Sequence, residues 1–306
     1  MERNTMMKKK FMAAAFGTMC LALLATGCSS DDPAAPGTSG TTSTIPAGPT
    51  LKVVGSPFTT ELYGVGLPFD SPYCEQVNTA IKAMIADGTW EAKLDAQMQG
   101  VLYTPNAEKN APENLANEVC DHTGTAALVT SGRLTIGIKF DQPKLGFKNP
   151  DGTYSGFDVD VAIYVANALG FSPDKIDWVE APSRARETML ENHQVDMIFA
   201  TYSITEARKE KVEFAGPYFV AGQDLLVRGD DDRFTGPDSL NSSDFRLCSV
   251  TGSTPAQKIK DTYAKDVELV EVTGYSECVT ALLAGRVDAV TTDDIILAGL
   301  AAAGTQ

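Results

Sequence analysis

The sequence predicts an α/β protein made of two lobes, and three observations support that prediction. From Arg133 onward, short apolar segments typical of strands alternate with segments whose apolar residues recur at helical spacing. The alternation is interrupted by the acidic turn "GDDDRFTGPDSL", which begins at Gly229, and then starts again. The two sets share no internal repeat. Two consecutive α/β units joined by extended segments therefore predict two lobes with a cleft between them.

The first unit contains three predicted strands and three predicted helices. Its first helix carries Val161, Val165, Ala168 and Leu169 at helical spacing and stops at Gly170. The strands are "LTIGIKF", "KIDWVEA" and "VDMIFA", and the helices are "GFDVDVAIYVANALG", "RARETMLENHQ" and "TEARKEKVEF". The extended segment "YFVAGQDLLVR" leads out of this unit. The second unit then alternates "FRLCSV", "PAQKIKDTYAK", "VELVEV", "YSECVTALLAG", "VDAVTT" and "DDIILAGLAAA".

Residues 51–103 do not resemble the start of an α/β domain. They contain two extended pieces, "LKVVGSPF" and "YGVGLPF", and one long helical region, "SPYCEQVNTAIKAMIADGTWEAKLDAQM". Residues 104–130 are polar and rich in Pro and Asn, which predicts a linker. As an independent module, this region has too few elements to form its own layered core.

The N-terminus is predicted to be a targeting segment. Basic residues Lys8–Lys10 precede a short apolar run that ends in "LLATGC". The run resembles a bacterial lipobox, which implies cleavage before Cys28 and acylation of its thiol; the alternative is an ordinary secretory peptide with an incidental cysteine. The stretch after Cys28 is rich in Ser, Thr, Gly and Pro and is predicted to be a flexible tether.

Charge and composition narrow the function. The net charge of -15 disfavours a nucleic-acid partner, because phosphates require Lys and Arg patches. It still allows an anionic small ligand, provided that a few cations are concentrated in one pocket. His122 and His193 lie far apart in the sequence, and no Cys/His cluster indicates a metal or other cofactor. The remaining cysteines, Cys74, Cys120, Cys248 and Cys278, are even in number in an exported chain, which predicts disulfides with three possible connectivities.

Four quoted segments carry a resemblance to a known family. "LTIGIKFDQPKLGFKNPDGTYSGFDVDVAIYVANALG", "ATYSITEARKEKVEFAGPYF", "CSVTGSTPAQKI" and "VDAVTTDDIILAGL" resemble the polar-amino-acid solute-binding proteins of ABC importers, in particular the glutamate-binding lipoproteins of actinobacteria. The resemblance implies a type II periplasmic-binding-protein-like fold, with mixed sheets flanked by helices and two hinge strands.

The order of the segments departs from that family. In the family, the helix after the double aspartate is followed by a lobe-2 strand, a hinge strand and a final helix pair, whereas here "LKVVGSPFTTELYGVGLPFDSPYCEQVNTAIKAMIADGTWEAKLD" resembles those pieces and comes first. The resemblance therefore implies a circularly permuted chain, of natural, engineered or sequence-assembly origin. The implied domains are a signal peptide (1–27), a tether (28–50), a lobe-2 strand (51–60), a hinge strand (61–69), lobe-1 helices (70–103), a linker joining the old termini (104–130), lobe 1 (131–221), a second hinge strand (222–229) and lobe 2 (230–306). In this arrangement Leu51 lies beside Gln306, and Tyr63–Gly66 runs beside Gly222–Val227.

The resemblance also implies how an amino acid would be held. Arg208 in "TYSITEAR" would bind the α-carboxylate through two parallel donors, with Thr201 and Ser203 upstream. Taken alone, Arg208 reads as a solvated helix arginine. Ser253 and Thr254 would supply donors from lobe 2, although their place before a helix also fits plain N-capping.

At the family positions that bind the α-ammonium and the side chain of the ligand, this chain has one acidic residue and two basic residues. Asp293 would pair with the ammonium, although the residues alone do not separate it from Asp294. Lys139 and Arg186, with the hydroxyl of Ser183, match positions that are basic in glutamate and aspartate binders. Without the resemblance, Arg186 reads as part of a solvated helix face.

The implied protein is a lipid-anchored, monomeric, extracytoplasmic substrate-binding protein and not an enzyme. It captures L-glutamate or aspartate and delivers it to the permease subunits of an ABC importer. The alternatives are a sensor that signals to a membrane kinase and a dehydratase-type enzyme on the same fold. In relatives the positions of Cys248 and Cys278 are both cysteine, which implies that they are bridged and leaves Cys74 with Cys120.

Overall fold

The computed structural model describes residues 50–120, 124 and 132–304. The predicted signal peptide, the tether with Cys28, most of 121–131 and Gln306 lie outside the described residues. In the described part, the strands are β1 (Leu51–Val54), β2 (Glu61–Leu67), β3 (Leu134–Ile138), β4 (Asp141–Gln142), β5 (Gly146–Lys148), β6 (Tyr154–Ser155), β7 (Ile176–Glu180), β8 (Met197–Ser203), β9 (Glu213–Ala221), β10 (Gln223–Arg228), β11 (Arg246–Val250), β12 (Glu268–Val272) and β13 (Ala289–Asp293). The α-helices are α1 (Cys74–Ala86), α2 (Thr89–Met98), α3 (Phe157–Ala168), α4 (Arg186–Glu191), α5 (Glu206–Lys209), α6 (Thr254–Lys258), α7 (Tyr275–Leu283) and α8 (Asp294–Gly304).

Lobe 1 is built on a five-stranded mixed sheet with the order β7-β3-β8-β2-β9. β3 pairs in parallel with β7 and β8, while β2 runs antiparallel between β8 and β9. Every residue of β8 and β9 is buried, as expected for strands covered on both faces. A small antiparallel sheet of β4, β5 and β6 lies next to α3.

Lobe 2 is built on a second five-stranded mixed sheet with the order β1-β10-β13-β11-β12. β10 lies antiparallel between β1 and β13, and β11 pairs in parallel with β12 and β13. α8 packs on β1, and a Cβ added at Gly304 would lie 2.9 Å from Leu51 Cδ1. The first strand of the described chain and its last helix are therefore neighbours in lobe 2.

The predicted pairing of the two hinge strands is wrong. Tyr63 pairs with Phe219 of β9, not with a residue of Gly222–Val227, and β10 pairs with β1. The cause is a change of sheet at Gly222, where the backbone is so crowded that an added Cβ would lie 2.6 Å from Pro57 Cβ. The chain crosses between the lobes at Gly222 and in residues 55–60.

The predicted long helical region is two helices. α1 ends at Ala86, and Gly88, with φ +79°, starts α2 at a new angle. Glycine adopts this left-handed conformation without a Cβ penalty. Both helices pack on α3, and the indole of Trp90 donates to the carbonyl oxygen of Tyr218 at 2.7 Å, which fixes α2 on lobe 1.

Residues 104–120 are more than a linker, because they pack along the outer edge of β9. The side-chain amide of Asn110 accepts from the backbone N–H of Val220 and donates to its carbonyl oxygen, at 2.8 and 2.9 Å. Ala116 N–H donates to the carbonyl oxygen of Pro217 at 2.8 Å. An edge strand is exposed to unwanted pairing, and this edge strap, residues 104–120, covers it.

Two predicted helices are shorter than expected. α5 is a single turn, because the chain enters β9 at Glu213. α6 ends at Lys258 and continues as one π-helical turn, Ile259–Tyr263.

Both predicted disulfides are confirmed. Cys74 and Cys120 join α1 to the end of the edge strap, with Cα atoms 5.9 Å apart. Cys248 and Cys278 join β11 to α7, with Cα atoms 5.5 Å apart. Among the described residues, no helix has the length and apolarity needed to cross a membrane, and no cluster of His, Cys, Asp and Glu could hold a metal.

Candidate ligand-binding cleft

A cavity of only about 10 Å³ lies between the lobes, far below the ~300–1,000 Å³ of sites for drug-sized ligands, so the cleft is almost completely closed. Seven of the predicted site residues line it: Ser183, Arg186, Thr201, Ser203, Ser253, Thr254 and Asp293. The other two, Lys139 and Arg208, lie directly behind this lining. Two larger surface grooves, near Ala80 and Ala281, are open and lined mainly by apolar and neutral side chains, and the few charged residues beside them are exposed.

Lys139 follows the end of β3 and is completely buried. Its Nζ donates to Ser183 Oγ at 3.2 Å and lies 5.8 Å from the ring centroid of Tyr275. Burial lowers the pKa of Lys139 to about 8, although the charge of Asp141 opposes the shift. The ammonium is therefore present at neutral pH but is easily lost in mildly alkaline solution.

Arg186 and Arg208 share one aromatic ring. Their guanidinium carbons lie 4.1 and 5.0 Å from the ring centroid of Tyr202, within cation–π range. Arg186 is 2% exposed and donates to the carbonyl oxygens of Ser183 and Ala200. Burial and the nearby charge of Arg208 lower the pKa of Arg186 to about 10.

Arg208 links the two lobes. Its guanidinium donates to Glu187 and to the Ser203 carbonyl oxygen in lobe 1, and to Thr254 Oγ1 and the Gly252 carbonyl oxygen in lobe 2, at 2.7–3.1 Å. Most of its five N–H donors are therefore occupied. A ligand carboxylate would have to replace the two lobe-2 acceptors, which requires the lobes to part. α5 is too short for its N-terminus to add a significant contribution.

The lobe-2 wall carries the acid. Asp293 ends β13, and its Oδ2 accepts from the hydroxyl of Tyr63 at 2.6 Å, while within the described residues Oδ1 has no hydrogen-bond partner. Burial and the charge of Glu61 raise the pKa of Asp293 well above its usual range. Asp294 turns away, toward Gly222 N–H and Tyr103. The structure therefore separates the two aspartates, and Asp293 is the one that faces the cavity.

Ser253 caps a helix, and both Ser253 and Thr254 line the cavity. Ser253 Oγ caps α6 by accepting from the N–H of Ala256 at 3.2 Å. An N-cap hydroxyl is held in one orientation by its helix.

Sequence reasoning missed five residues that line the cavity: Gln142, Pro255, Tyr275, Thr292 and Ile296. Gln142 Nε2 donates to Thr201 Oγ1 at 3.1 Å, and Thr292 Oγ1 donates to the Tyr275 oxygen at 2.7 Å. Thr292 and Pro255 could have been suspected as neighbours of predicted residues. Gln142, Tyr275 and Ile296 give no comparable signal, because their places depend on how the lobes meet.

Other contacts join the lobes around this cavity. Lys258 Nζ in α6 donates to buried Glu61 Oε1 in β2 at 2.6 Å, and Arg184 Nη1 donates to Thr273 Oγ1 at 3.2 Å. The lobes are thus closed on each other in this structure.

The two walls together suit a zwitterion that carries extra negative charge. Lobe 1 presents buried cations, and lobe 2 presents a buried carboxylate and fixed hydroxyls. An amino acid with an acidic side chain would supply two carboxylates to the three cations of lobe 1 and an ammonium to Asp293.

The fold has two lobes with a closed, charged cleft between them. The chain belongs to the bacterial extracellular solute-binding proteins, family 3, whose family model matches residues 134–248. It is 52% identical over 182 residues to the glutamate-binding protein of Corynebacterium efficiens, which is 58% of this chain and 61% of that protein. It is 37% identical over 177 residues to the ABC transporter glutamine-binding protein of Bacillus subtilis, which is 58% of this chain and 64% of that protein.

A solved structure agrees with these matches. An ancestral arginine-binding protein bound to glutamine superposes with a TM-score of 0.51 at 32% identity, covering 54% of this chain and 71% of that one. The chain spans less than two thirds of the length of the two curated relatives named above, 61% and 64%.

Proposed function

We propose that this protein captures L-glutamate, or aspartate, between its lobes and delivers it to an ABC importer. The observation that carries the proposal is the state of the two buried cations, Lys139 and Arg186. In the described part of the chain, the hydrogen bonds of both go to neutral groups, a hydroxyl and two carbonyl oxygens. Buried charge without an ionic partner is costly, so the site favours a ligand that supplies a carboxylate.

The remaining groups suit the amino-acid backbone of the ligand. Arg208 would take the α-carboxylate, assisted by Thr201, Ser203, Ser253 and Thr254. Asp293, which lines the cavity and whose Oδ1 has no hydrogen-bond partner among the described residues, would take the α-ammonium, and that positive charge would offset the burial that raises the pKa of Asp293.

Selectivity for an acidic side chain follows from Lys139, Arg186 and Ser183. A hydrogen bond to a charged group contributes about 1.5–3 kcal/mol, so two would favour glutamate over glutamine by several powers of ten at most. The matched relatives include proteins named for glutamate and for glutamine. We therefore expect the residues around the ligand side chain to differ between glutamate binders and glutamine binders.

Calorimetry on the purified protein tests the proposal. L-Glutamate is expected to bind 1:1 with a dissociation constant of about 1 μM or tighter, near -8 kcal/mol, and to be recovered chemically unchanged. Aspartate should bind more weakly and glutamine more weakly still. Equal affinity for glutamine would show that the roles of Lys139 and Arg186 are wrong, and no binding of any amino acid would overturn the function itself.

Export and anchoring are part of the same proposal. The family is extracellular by its description, and the basic and apolar residues before Cys28 support a cleaved leader with a lipid on Cys28. Mass spectrometry of the mature protein, purified from membranes, tests this: a diacylated Cys28 as the first residue is expected, and an unmodified N-terminus at another position would contradict it.

We also propose that the order of segments is a circular permutation. Its support is the sheet topology, since β1 completes the edge of the lobe-2 sheet and β2 is inserted between β8 and β9 of lobe 1. A variant chain with 132–304 first and 51–120 after it, joined by a short flexible connection, should fold and bind glutamate as the parent does. The proximity of Gly304 to Leu51 allows that connection to be short. A product that does not fold would count against the proposal.

A further inference from the structure

Asp158 is a buried acid that the proposed ligand contacts do not use. It lies in the first turn of α3, is 0% exposed and is absent from the lining of the cavity. Its Oδ1 accepts from the hydroxyl of Tyr218 and its Oδ2 from the backbone N–H of Thr201, both at 2.9 Å. The carboxylate is thus fixed behind the lobe-1 wall by one hydrogen bond from β9 and one from β8.

The residue that it holds is in an unusual conformation. Thr201 has φ +45°, a left-handed backbone angle that is a genuine outlier for a β-branched residue and needs support from its surroundings. Its Oγ1 donates to the Ala200 carbonyl oxygen and bonds the side chain of Gln142. The same Ala200 oxygen accepts from Arg186. The backbone turn at Thr201 therefore sets the positions of Gln142 and Arg186 at once.

Charge gives Asp158 a second connection to the cleft. Burial raises the pKa of Asp158 to about 6, while its bonds to Tyr218 and Thr201 and the charges of Lys139 and Arg186 oppose that rise. Asp158 is therefore ionised at neutral pH. In turn its charge raises the pKa of Lys139 against the effect of burial.

We propose that Asp158 is a positioning residue of the cleft, which holds Thr201 in its left-handed conformation and balances the charge of Lys139 and Arg186 until an anionic ligand enters. The inference rests on the proposed function, because it assumes that the cations receive a carboxylate. Asp158 would thus stabilise the charged site before the ligand binds, without touching the ligand itself.

The pH profile of binding separates this role from a purely structural one. Lys139 is faced by Asp141, Asp158, Arg186 and Tyr275. A bound carboxylate would raise the pKa of Lys139, so the affinity should be highest below the free-protein pKa of about 8 and fall as the pH rises through it. Removing the charge of Asp158 should lower the pKa of Lys139, so the affinity should begin to fall at a lower pH.

The test compares Asp158→Asn with Asp160→Asn. Both remove one negative charge from α3, but Asp160 bonds Lys93 and Gln97 on the outside of the lobe. Asp158→Asn should weaken glutamate binding about tenfold or more at pH 7.5 and move the alkaline fall down by about one pH unit. Asp160→Asn should change neither by a measurable amount. Titration of the ligand's own ammonium is common to all variants and cancels in their ratio.

Two results would overturn the inference. One is an unchanged affinity in Asp158→Asn; the other is a loss of the same factor at every pH, which indicates a structural role only. A wild-type protein that binds no acidic amino acid would overturn the proposed function instead. In that case the titration of Lys139, followed by nitrogen NMR of labelled lysine and assigned with Lys139→Met, still tests whether Asp158→Asn lowers its pKa.

A second pair of variants tests the inference if Asp158→Asn alone does not fold. Glycine accepts positive φ without strain, so Thr201→Gly should remove the need for the carboxylate to hold the backbone. If Asp158→Asn does not fold alone, Asp158→Asn with Thr201→Gly is compared with Thr201→Gly. The pair should have similar melting temperatures and still differ in the alkaline fall of affinity; an identical pH profile in the two would contradict the inference.

Discussion

The two walls of the cleft hold opposite charges, and they are stiffened in different ways. The lobe-1 wall is cationic, with Lys139 buried behind Ser183 and two arginines stacked on Tyr202. The lobe-2 wall is acidic, with Asp293 at the end of β13 and hydroxyls on the capped start of α6. Each wall therefore keeps buried charge that the other does not neutralise, and we expect a ligand with both signs of charge to complete the site.

The walls also differ in what fixes them. In lobe 1, Asp158 supports the backbone turn at Thr201, and the edge strap covers β9 from the side away from β2. In lobe 2, the disulfide from Cys248 to Cys278 ties the central sheet to α7, whose first residue, Tyr275, lines the cavity. Each lobe has one disulfide, but only the lobe-2 disulfide ends on a helix whose first residue lines the cavity. Both walls contain a titratable group with a shifted pKa, Lys139 in lobe 1 and Asp293 in lobe 2.

The largest effect is expected where the two walls meet, at Arg208. Arg208→Ala should weaken the binding of glutamate, aspartate and glutamine alike by at least about 100-fold, because all three share the α-carboxylate and Glu187 would be left without its ionic partner. Calorimetry with the three ligands measures this. Arg133→Ala, which removes a surface arginine paired with Asp177, is the matched control and should bind normally. A variant that still binds glutamine would assign the α-carboxylate to another group.

The lobe-2 wall should give the next largest effect. Asp293→Asn keeps the shape of the side chain but removes the charge for the ammonium, so all amino acids should bind about 10- to 100-fold more weakly. Asp266→Asn, on the exposed surface of the same lobe, serves as the control. If Asp293→Asn affects glutamate but not glutamine, the acid acts on the side chain and the two walls have been assigned the wrong way round.

A change confined to the side-chain end of lobe 1 should alter selectivity more than overall affinity. Arg186→Ala should weaken glutamate binding at least about tenfold and leave glutamine nearly unchanged, since only the former loses a charged partner. The ratio of the two dissociation constants is the measurement. An equal loss for both ligands would mean that Arg186 organises the wall instead of reading the side chain.

Both walls should exchange protons when the ligand binds. Because burial lowers the pKa of Lys139 to about 8 and a ligand carboxylate would raise it, Lys139 should take up about half a proton on binding at pH 8, whereas an ammonium beside Asp293, whose pKa burial raises, should favour proton release there. Calorimetry in two buffers of different ionisation enthalpy measures the net number, and the difference between the wild type and Lys139→Met isolates the lobe-1 part. Lys139→Met should take up correspondingly less. Equal uptake by the wild type and this variant would place the titrating group elsewhere.

The smallest effect on binding is expected from the disulfides, although both stabilise the fold. Replacing either pair by serine should lower the free energy of unfolding by about 3–4 kcal/mol in the chain-entropy model, because the closed loops, with sequence separations of 46 and 30 residues, are of similar length. Glutamate affinity should change by less than about threefold. Denaturant titration and calorimetry test this, and peptide mapping without reduction should find no free thiol at the four cysteines. A large loss of affinity only for the Cys248/Cys278 pair would show that the disulfide positions Tyr275.

Much of the site could be predicted because its residues lie in motifs that are local in sequence and resemble those of the family. Arg208, Ser253 and Asp293 each lie at the junction of a strand or loop with a helix, and the structure brings all three to one cleft. Tyr63 and Asp158 could not be found this way. Tyr63 lies 230 residues before Asp293, and Asp158 faces inward from a helix whose pattern indicates only packing.

The sequence by itself determined the alternation of strands and helices and the division into two α/β units. These depend on local periodicity and on residue type, which act over a few residues. The charges expected in the cleft were implied by the family resemblance. Only the tertiary structure decided which strands are neighbours: that β2 lies beside β9, that the chain changes sheet at Gly222, and that residues 104–120 cover an edge. Such pairings join residues far apart in the chain. They depend on which packed arrangement satisfies the buried backbone groups of the whole molecule, which no local pattern records.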